Sequence, residues 1–204
     1  MTGDAIETYA DLAATILDRP ARLGGVRLVA VDGPSGAGKT TFAGRLAVAV
    51  QVHRTVAVVN TDAFLDGWAE PLSVWQALRA DVLDPLIEGR PGAYRRYDWT
   101  TRRFGDERVR VAVPDVLILE GVTSGRRAVD AELSVMVFMT GDPTVLFRRV
   151  VARDGAEIAP ALRDWQAAET MYFHADRPRD RADIVVDGST DVGHDPEKEY
   201  VRLS

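Results

Sequence analysis

The sequence predicts an α/β fold built on a parallel sheet with helices on both faces, and three observations carry that prediction. Short apolar, β-branched runs alternate with segments of helical spacing, as in a parallel sheet whose crossovers are helices. A glycine-rich turn over residues 33–40, GPSGAGKT, joins a strand to the helix that follows it. Acids stand at or just past the carboxyl ends of two more strands, Asp62 and Glu120, on the rim where open α/β sheets bind ligands.

Taken in order, residues 4–17 (DAIETYADLAATIL) predict a helix, with Asp4 as N-cap and Ile6, Tyr9, Ala10, Ala13 and Leu17 at helical spacing. Arg19-Pro20 ends it, and Gly24-Gly25 leads into a buried strand over 26–31. From Thr41 the spacing is helical again, with Phe42, Leu46 and Ala49 on one side. Residues 55–60 (TVAVVN) predict a second strand ending in Thr61-Asp62, and 73–88 a helix that Pro85 divides. Residues 89–114 alternate loosely and are rich in arginine and aromatics, which reads as a β-hairpin excursion on the sheet edge. Strands follow at 115–120 (DVLILE) and 133–140 (LSVMVFMT). Asp142-Pro143 has the N-cap and N1 residues of a helix that carries Arg148, Arg149 and Arg153. A helix over 160–174 and a strand over 183–186 complete the pattern. A single domain over 1–204 is predicted, with its core at about 24–188, an N-terminal helix at 4–17 and a polar, loosely held tail at 189–204.

A chain of 204 residues is large enough to bury a core without a metal or disulfide staple. It has no cysteine, which excludes a disulfide framework and a thiol nucleophile. The net charge of −6 argues against a nucleic-acid partner, because phosphate backbones are bound by excess lysine and arginine. The start MTGDAIE has acids where a signal peptide is basic, and no apolar run approaches the roughly 18 residues of a membrane span. The expectation is a cytoplasmic protein with no membrane partner; a homo-oligomer is left open.

Residues 33–40 match G-x-x-x-x-G-K-[ST] at every fixed position, between a strand and a helix, the context this phosphate-binding loop requires. The expected phosphate contacts are Gly33, Ser35, Gly36, Ala37, Gly38, Lys39, Thr40 and Thr41. Lys39 is expected to reach the β- and γ-phosphates, and the Thr40 hydroxyl to ligate Mg²⁺. Glu120, after four apolar residues, is placed as a Mg²⁺-site carboxylate, with a helix cap or loop acid as the alternative. Asp62 reads as a general base, a second metal ligand or a turn-forming residue. Arg149 and Arg153, four apart on one helix face, suit the charge of a migrating phosphoryl group, or form a solvated basic face. His53, His174 and His194 have neither metal-ligand spacing nor a nucleophile partner. Trp75 and Trp165 read as core, whereas Trp68 and Trp99 lie in segments suited to wall an acceptor site.

Together these residues resemble the uridine kinase family, within the group that includes phosphoribulokinase and the bacterial pantothenate kinases. The similarity runs over about 26–188 and rests on an ordered set: DGPSGAGKTTFA, NTDAF, RRYDW, DVLILEG, LFRRVVARD and RADIVV. The resemblance implies a P-loop kinase fold, three layers α/β/α, with a five-stranded parallel sheet in the order 2-3-1-4-5, a β-hairpin bearing acceptor contacts and an arginine-bearing lid. It implies Asp62 as catalytic base, Glu120 as a magnesium-site carboxylate, and Arg149 and Arg153 as lid residues near the phosphates. It places Tyr97 against the acceptor.

The departures are specific. Trp68-Ala69-Glu70-Pro71 stands where the family has Phe-Asp-His-Pro, whose aspartate holds the ribose hydroxyls, and Arg102 matches a hairpin histidine that reads the base. The basic stretch of the lid is missing after Asp154, which is followed by GAEIAPALRD. The expectation is therefore an ATP- and Mg²⁺-dependent kinase acting on a hydroxyl of a small metabolite, of nucleoside class, with uridine and cytidine poorly used. The alternatives are a pantothenate-like, sugar-like or other anionic acceptor, met by Arg95, Arg96, Arg102 and Arg103, and a regulatory NTPase with no acceptor. The sequence lacks the N-K-x-D and L-S-G-G-Q signatures of two such NTPase classes.

Overall fold

The computed structural model describes residues 4–68 and 71–204. The chain opens with β1 (Ala5–Thr8) and α1 (Tyr9–Asp18), then β2 (Arg27–Asp32), α2 (Lys39–Gln51) and β3 (Val56–Asn60). A helical stretch holds α3 (Trp75–Leu78) and α4 (Asp84–Ile87), and a hairpin is formed by β4 (Gly92–Asp98) and β5 (Arg103–Val111). The second half contains β6 (Val116–Glu120), β7 (Leu133–Thr140), α5 (Pro143–Asp154), α6 (Ala159–Asp176), α7 (Pro178–Arg181), β8 (Ile184–Asp187) and β9 (Glu199–Arg202).

The main sheet runs β1-β9-β8-β7-β2-β6-β3. Strands β3, β6, β2, β7 and β8 are parallel, in the predicted order 2-3-1-4-5. Side chains alternate across it with period two. Leu28 and Ala30 of β2 join Leu117 and Leu119 in one core, against α3 and α6. Val29, Val31 and Ile118 join the other, against α1 and α2. The alternation of strand and helix thus yields a sheet buried on both faces.

Four expectations are corrected. The predicted helix at 4–17 starts only at Tyr9: residues 5–8 form β1, which pairs antiparallel with β9, and Thr8 Oγ1 accepts from Asp11 N at 3.0 Å as the true N-cap. Strand pairing outcompetes local helical spacing here, and Ile6 is left exposed. The 189–204 segment is not a loose tail, because β9 extends the sheet between β1 and β8 with Tyr200 and Val201 buried. The hairpin does not lie on the main sheet's edge; β4 and β5 pair only with each other. It is tethered instead through Tyr94, stacked on Phe64 at 4.7 Å, and Arg108, which donates to Asp81 Oδ1 at 2.8 Å.

Pro85 does not divide its helix. A π turn at Arg79–Leu83 lies between α3 and α4, and Pro85 sits at the start of α4. The widened turn accommodates the N–H that proline lacks.

Candidate phosphate-transfer site

The site is assembled at the carboxyl ends of β2, β3 and β6, where Asp32, Asn60 and Glu120 end their strands. Asp32 is fully buried. Its Oδ1 accepts from Gly33 N at 2.7 Å and Thr123 N at 3.2 Å, and its Oδ2 from Gly125 N at 2.9 Å and the Tyr172 hydroxyl at 2.6 Å. Burial pushes this carboxyl above its ordinary range, and those hydrogen bonds pull against the shift. One side chain thereby fastens the glycine-rich loop to the loop after β6 and to α6.

The loop has the shape an anion cradle needs. Gly36 has φ 84° and Gly38 φ 90°, and a Cβ on Gly36 would collide with the Leu146 carbonyl of α5. Gly38 is the N-cap of α2 and offers no capping side chain, so the helix N-terminus faces outward, with Gly38, Thr40 and Thr41 exposed. Lys39 is buried, and its Nζ donates to the Pro34 carbonyl at 3.0 Å.

Thr40 Oγ1 donates to Glu120 Oε1 at 3.0 Å, and Asn60 Nδ2 donates to the same oxygen at 2.5 Å. Glu120 is 1% exposed. Burial raises its pKa, the Lys39 charge opposes that, and Asp62 adds to it. Among the described residues no group of three His, Cys, Asp or Glu could hold a metal by itself. The Thr40 hydroxyl and Glu120 carboxylate, in contact, are the oxygens that could hold Mg²⁺, an ion bound through one or two protein oxygens with phosphate and water completing its shell. Asp62 is presented by a 3₁₀ turn, Thr61–Phe64, whose N-cap Asn60 Oδ1 accepts from Asp62 N at 2.6 Å. Burial pushes the Asp62 carboxyl up, the charges of Lys39 and Arg153 pull it down, and Asp154 pushes it up again. Among the described residues no side-chain hydrogen bond engages that carboxylate.

The arginines of α5 part company. Arg149 donates to the Gly188 carbonyl at 2.5 Å, at the end of β8. Arg153 is clasped by Asp154, with Nε to Oδ1 at 2.7 Å and an Nη to Oδ2 at 2.6 Å, and its charge acts on Asp62. Arg148 is exposed. The pairing of Arg153 with its sequence neighbour is one that i,i+4 spacing does not show.

On the other side an aromatic chain leads from the hairpin to the loop. Tyr97 lies edge-on to Trp99 at 5.2 Å and to Phe104 at 5.3 Å, Trp99 to Trp68 at 5.7 Å, and Trp68 to Trp165 at 5.9 Å. Trp68 is 43% and Trp99 39% exposed, whereas Trp75 and Trp165 are buried. Arg102 lies at the exposed hairpin turn with φ 53°, and Arg95, Arg96 and Arg103 are exposed as well. Ala69 and Glu70, on which the ribose departure rests, lie outside the described residues. His53 and His174 are exposed, and His194 is half-buried.

Sequence reasoning read Trp165 as core but missed the layer it forms behind the loop with Asp32, Thr123, Glu169 and Tyr172. Its signal was an acid directly before Gly33 and a W-x-x-x-E-x-x-Y spacing that lines one face of α6.

Fold and site together define a P-loop α/β domain. Residues 29–170 match the protein-family model described as an AAA domain, and the chain belongs to that family. Uridine kinase of Lactobacillus helveticus is 25% identical over 190 residues, which cover 82% of this chain and 90% of that protein. Inorganic pyrophosphatase TTM1 of Arabidopsis thaliana is 28% identical over 160 residues, 72% of this chain but 24% of that protein. Among solved structures, a possible uridine kinase from Bacillus stearothermophilus superposes with a TM-score of 0.61 at 22% identity, over 87% of this chain and 96% of that one. The chain thus has uridine kinase relatives along most of its length and a uridine kinase-like fold.

Proposed function

We propose that the protein transfers the γ-phosphoryl group of ATP, bound with Mg²⁺, to a hydroxyl of a small metabolite of nucleoside-like class. The observation that carries this reading is the convergence of Lys39, Thr40, Glu120 and Asp62 on one rim, beside a loop that Trp165 joins to the partly exposed Trp68 and Trp99. Lys39 and the N-terminus of α2 meet the phosphates, with Thr40 and Glu120 holding the metal that offsets their charge. Asp62 accepts the proton of the attacking hydroxyl. Its carboxylate is free to do so because no side-chain hydrogen bond among the described residues engages it. Arg153, already coupled to Asp62, meets the charge that spreads over the migrating group. Trp99 and Trp68, both partly exposed, offer ring faces and edges to a planar acceptor, with Tyr97 buried against Trp99 as their support.

The test is a screen of nucleosides, pantothenate, sugars and sugar acids for acceptor-stimulated ADP release, with Lys39→Ala and Asp62→Asn alongside. The expected result is stimulation by a ring-bearing acceptor, its loss in Lys39→Ala, and a kcat roughly 10²-fold or more lower in Asp62→Asn, with nucleotide binding kept within about tenfold. ATP hydrolysis that no acceptor stimulates would instead support a regulatory NTPase.

A further inference from the structure

Helix α6 places Trp165 and Glu169 four residues apart, hence on one face. That face lies against the phosphate loop. One carboxylate oxygen, Glu169 Oε1, accepts three donors: Ser35 N at 3.0 Å, the Ser35 hydroxyl at 2.5 Å and the Trp165 indole N–H at 2.6 Å. The same indole N–H lies 3.1 Å from Ser35 Oγ. Glu169 is 3% exposed, and among the described residues no arginine or lysine forms an ion pair with it.

A buried carboxylate without a partner cation is unfavourable to fold. Set beside the seat of a triphosphate, its charge also opposes the ligand. Its contribution therefore lies in geometry. Ser35 is the third residue of the loop, immediately before Gly36, and Pro34 on its other side takes the Lys39 ammonium. Fixing Ser35 at both its backbone and its hydroxyl fixes the approach to Gly36 and the anchor of Lys39.

We propose that Glu169 is a positioning residue of the phosphate loop. Oriented by the Trp165 N–H, it holds Ser35 so that the loop is shaped before nucleotide arrives. The assignment rests on the nucleotide-binding reading above and adds a residue from the far end of the chain to that site. It makes a distinctive demand on substitutions. Glu169→Gln keeps an acceptor oxygen and removes the charge, so it retains the geometry and relieves the repulsion. Glu169→Ala leaves the Ser35 N–H and hydroxyl without that acceptor and the Trp165 N–H with Ser35 Oγ alone. Trp165→Phe keeps the aromatic packing and removes only the orienting N–H.

The experiment is calorimetric titration of each purified protein with a non-hydrolysable ATP analogue and Mg²⁺, the affinity being expressed per folded molecule from circular dichroism and thermal melts. Glu169→Gln is expected to bind within about threefold of the unmodified protein or more tightly, Trp165→Phe about threefold to tenfold more weakly, and Glu169→Ala about tenfold or more weakly. Unchanged affinity per folded molecule in Glu169→Ala, even with a lowered Tm, overturns the assignment and leaves nucleotide binding standing. If Glu169→Ala fails to fold, Trp165→Phe decides, and affinity equal to that of the unmodified protein overturns it. Failure of the unmodified protein to bind the analogue removes both readings together.

Discussion

Glu120 shows at the scale of one residue how burial sets a carboxyl against its own charge. Its carboxyl is buried, and its pKa is raised first by that burial and then further by Asp62. A carboxyl whose folded pKa lies above its unfolded value contributes most to stability below the ordinary carboxylate range, about pH 4.3, and loses that contribution as pH rises through the folded value. In the ligand-free protein, ionising Glu120 therefore costs stability as the solution goes from acid to neutral. Glu120→Gln keeps an oxygen for the Thr40 and Asn60 donors and never ionises. Thermal melts without nucleotide are expected to show nearly equal Tm at about pH 4 and a variant that is increasingly the more stable toward about pH 8. A difference that does not change with pH would place the strain elsewhere. That Lys39, Thr40, Asp62 and Glu120 come together at the strand ends was legible in the sequence, since each sits at a fixed offset from a recognisable strand end. Glu169 and Asp32 were not, because their partners lie 134 and 140 positions away, at Ser35 and Tyr172.

Among elements, the phosphate loop is held from both sides. Asp32 and Glu169 fasten it from the α6 side, and the backbone of α5 closes on Gly36. Gly36→Ala would require a Cβ at φ 84° against the Leu146 carbonyl, and left-handed backbone alone costs about 1–2 kcal/mol for a residue with a Cβ. The expected outcome is a lower Tm and an affinity for an ATP analogue weaker by about tenfold or more, because the loop must leave its cradle to admit the methyl. Gly44, exposed in α2 with nothing within 4 Å of the place a methyl would take, is the control. Gly44→Ala should stabilise by about 0.5–1 kcal/mol and leave binding unchanged. Melts and calorimetry on the two variants separate loop geometry from the general effect of losing a glycine. The parallel strands and α5 were legible at this scale because burial on both faces makes strands continuous apolar runs, and Asp142-Pro143 marks a helix start. The hairpin's detachment was not, because its tethers, Tyr94 on Phe64 and Arg108 on Asp81, are tertiary contacts with no local pattern.

Across the whole molecule, β1 and β9, from the two ends of the chain, pair and complete the sheet at the edge opposite β3. Local composition marks residues 189–204 as a polar tail, and only pairing with β1 and β8 makes 199–202 a strand. Tyr200 packs tilted against Tyr9 at 5.5 Å and edge-on against Phe42 at 5.3 Å, and its hydroxyl donates to Glu7 Oε2 at 2.6 Å. Leu203 N donates to the Val185 carbonyl at 2.9 Å. Phe42 lies in the first turn of α2, next to Thr40 and Thr41, so the terminal strand supports the helix that follows the glycine-rich loop. A chain ending at Asp195 would expose Tyr9, Phe42 and the edge of β8, and loss of one large buried aromatic costs about 3–5 kcal/mol. For a domain of this size that corresponds to a fall in Tm of roughly 10 °C, with Tyr200→Ala giving most of it. Because α1 and the start of α2 lose their common support, the shortened chain should also bind an ATP analogue more weakly at a temperature where it is still folded. Differential scanning calorimetry and titration on both proteins check this. A Tm unchanged by truncation would mean that β9 is no part of the cooperative fold, as the polar composition of residues 189–198 suggests for the whole segment.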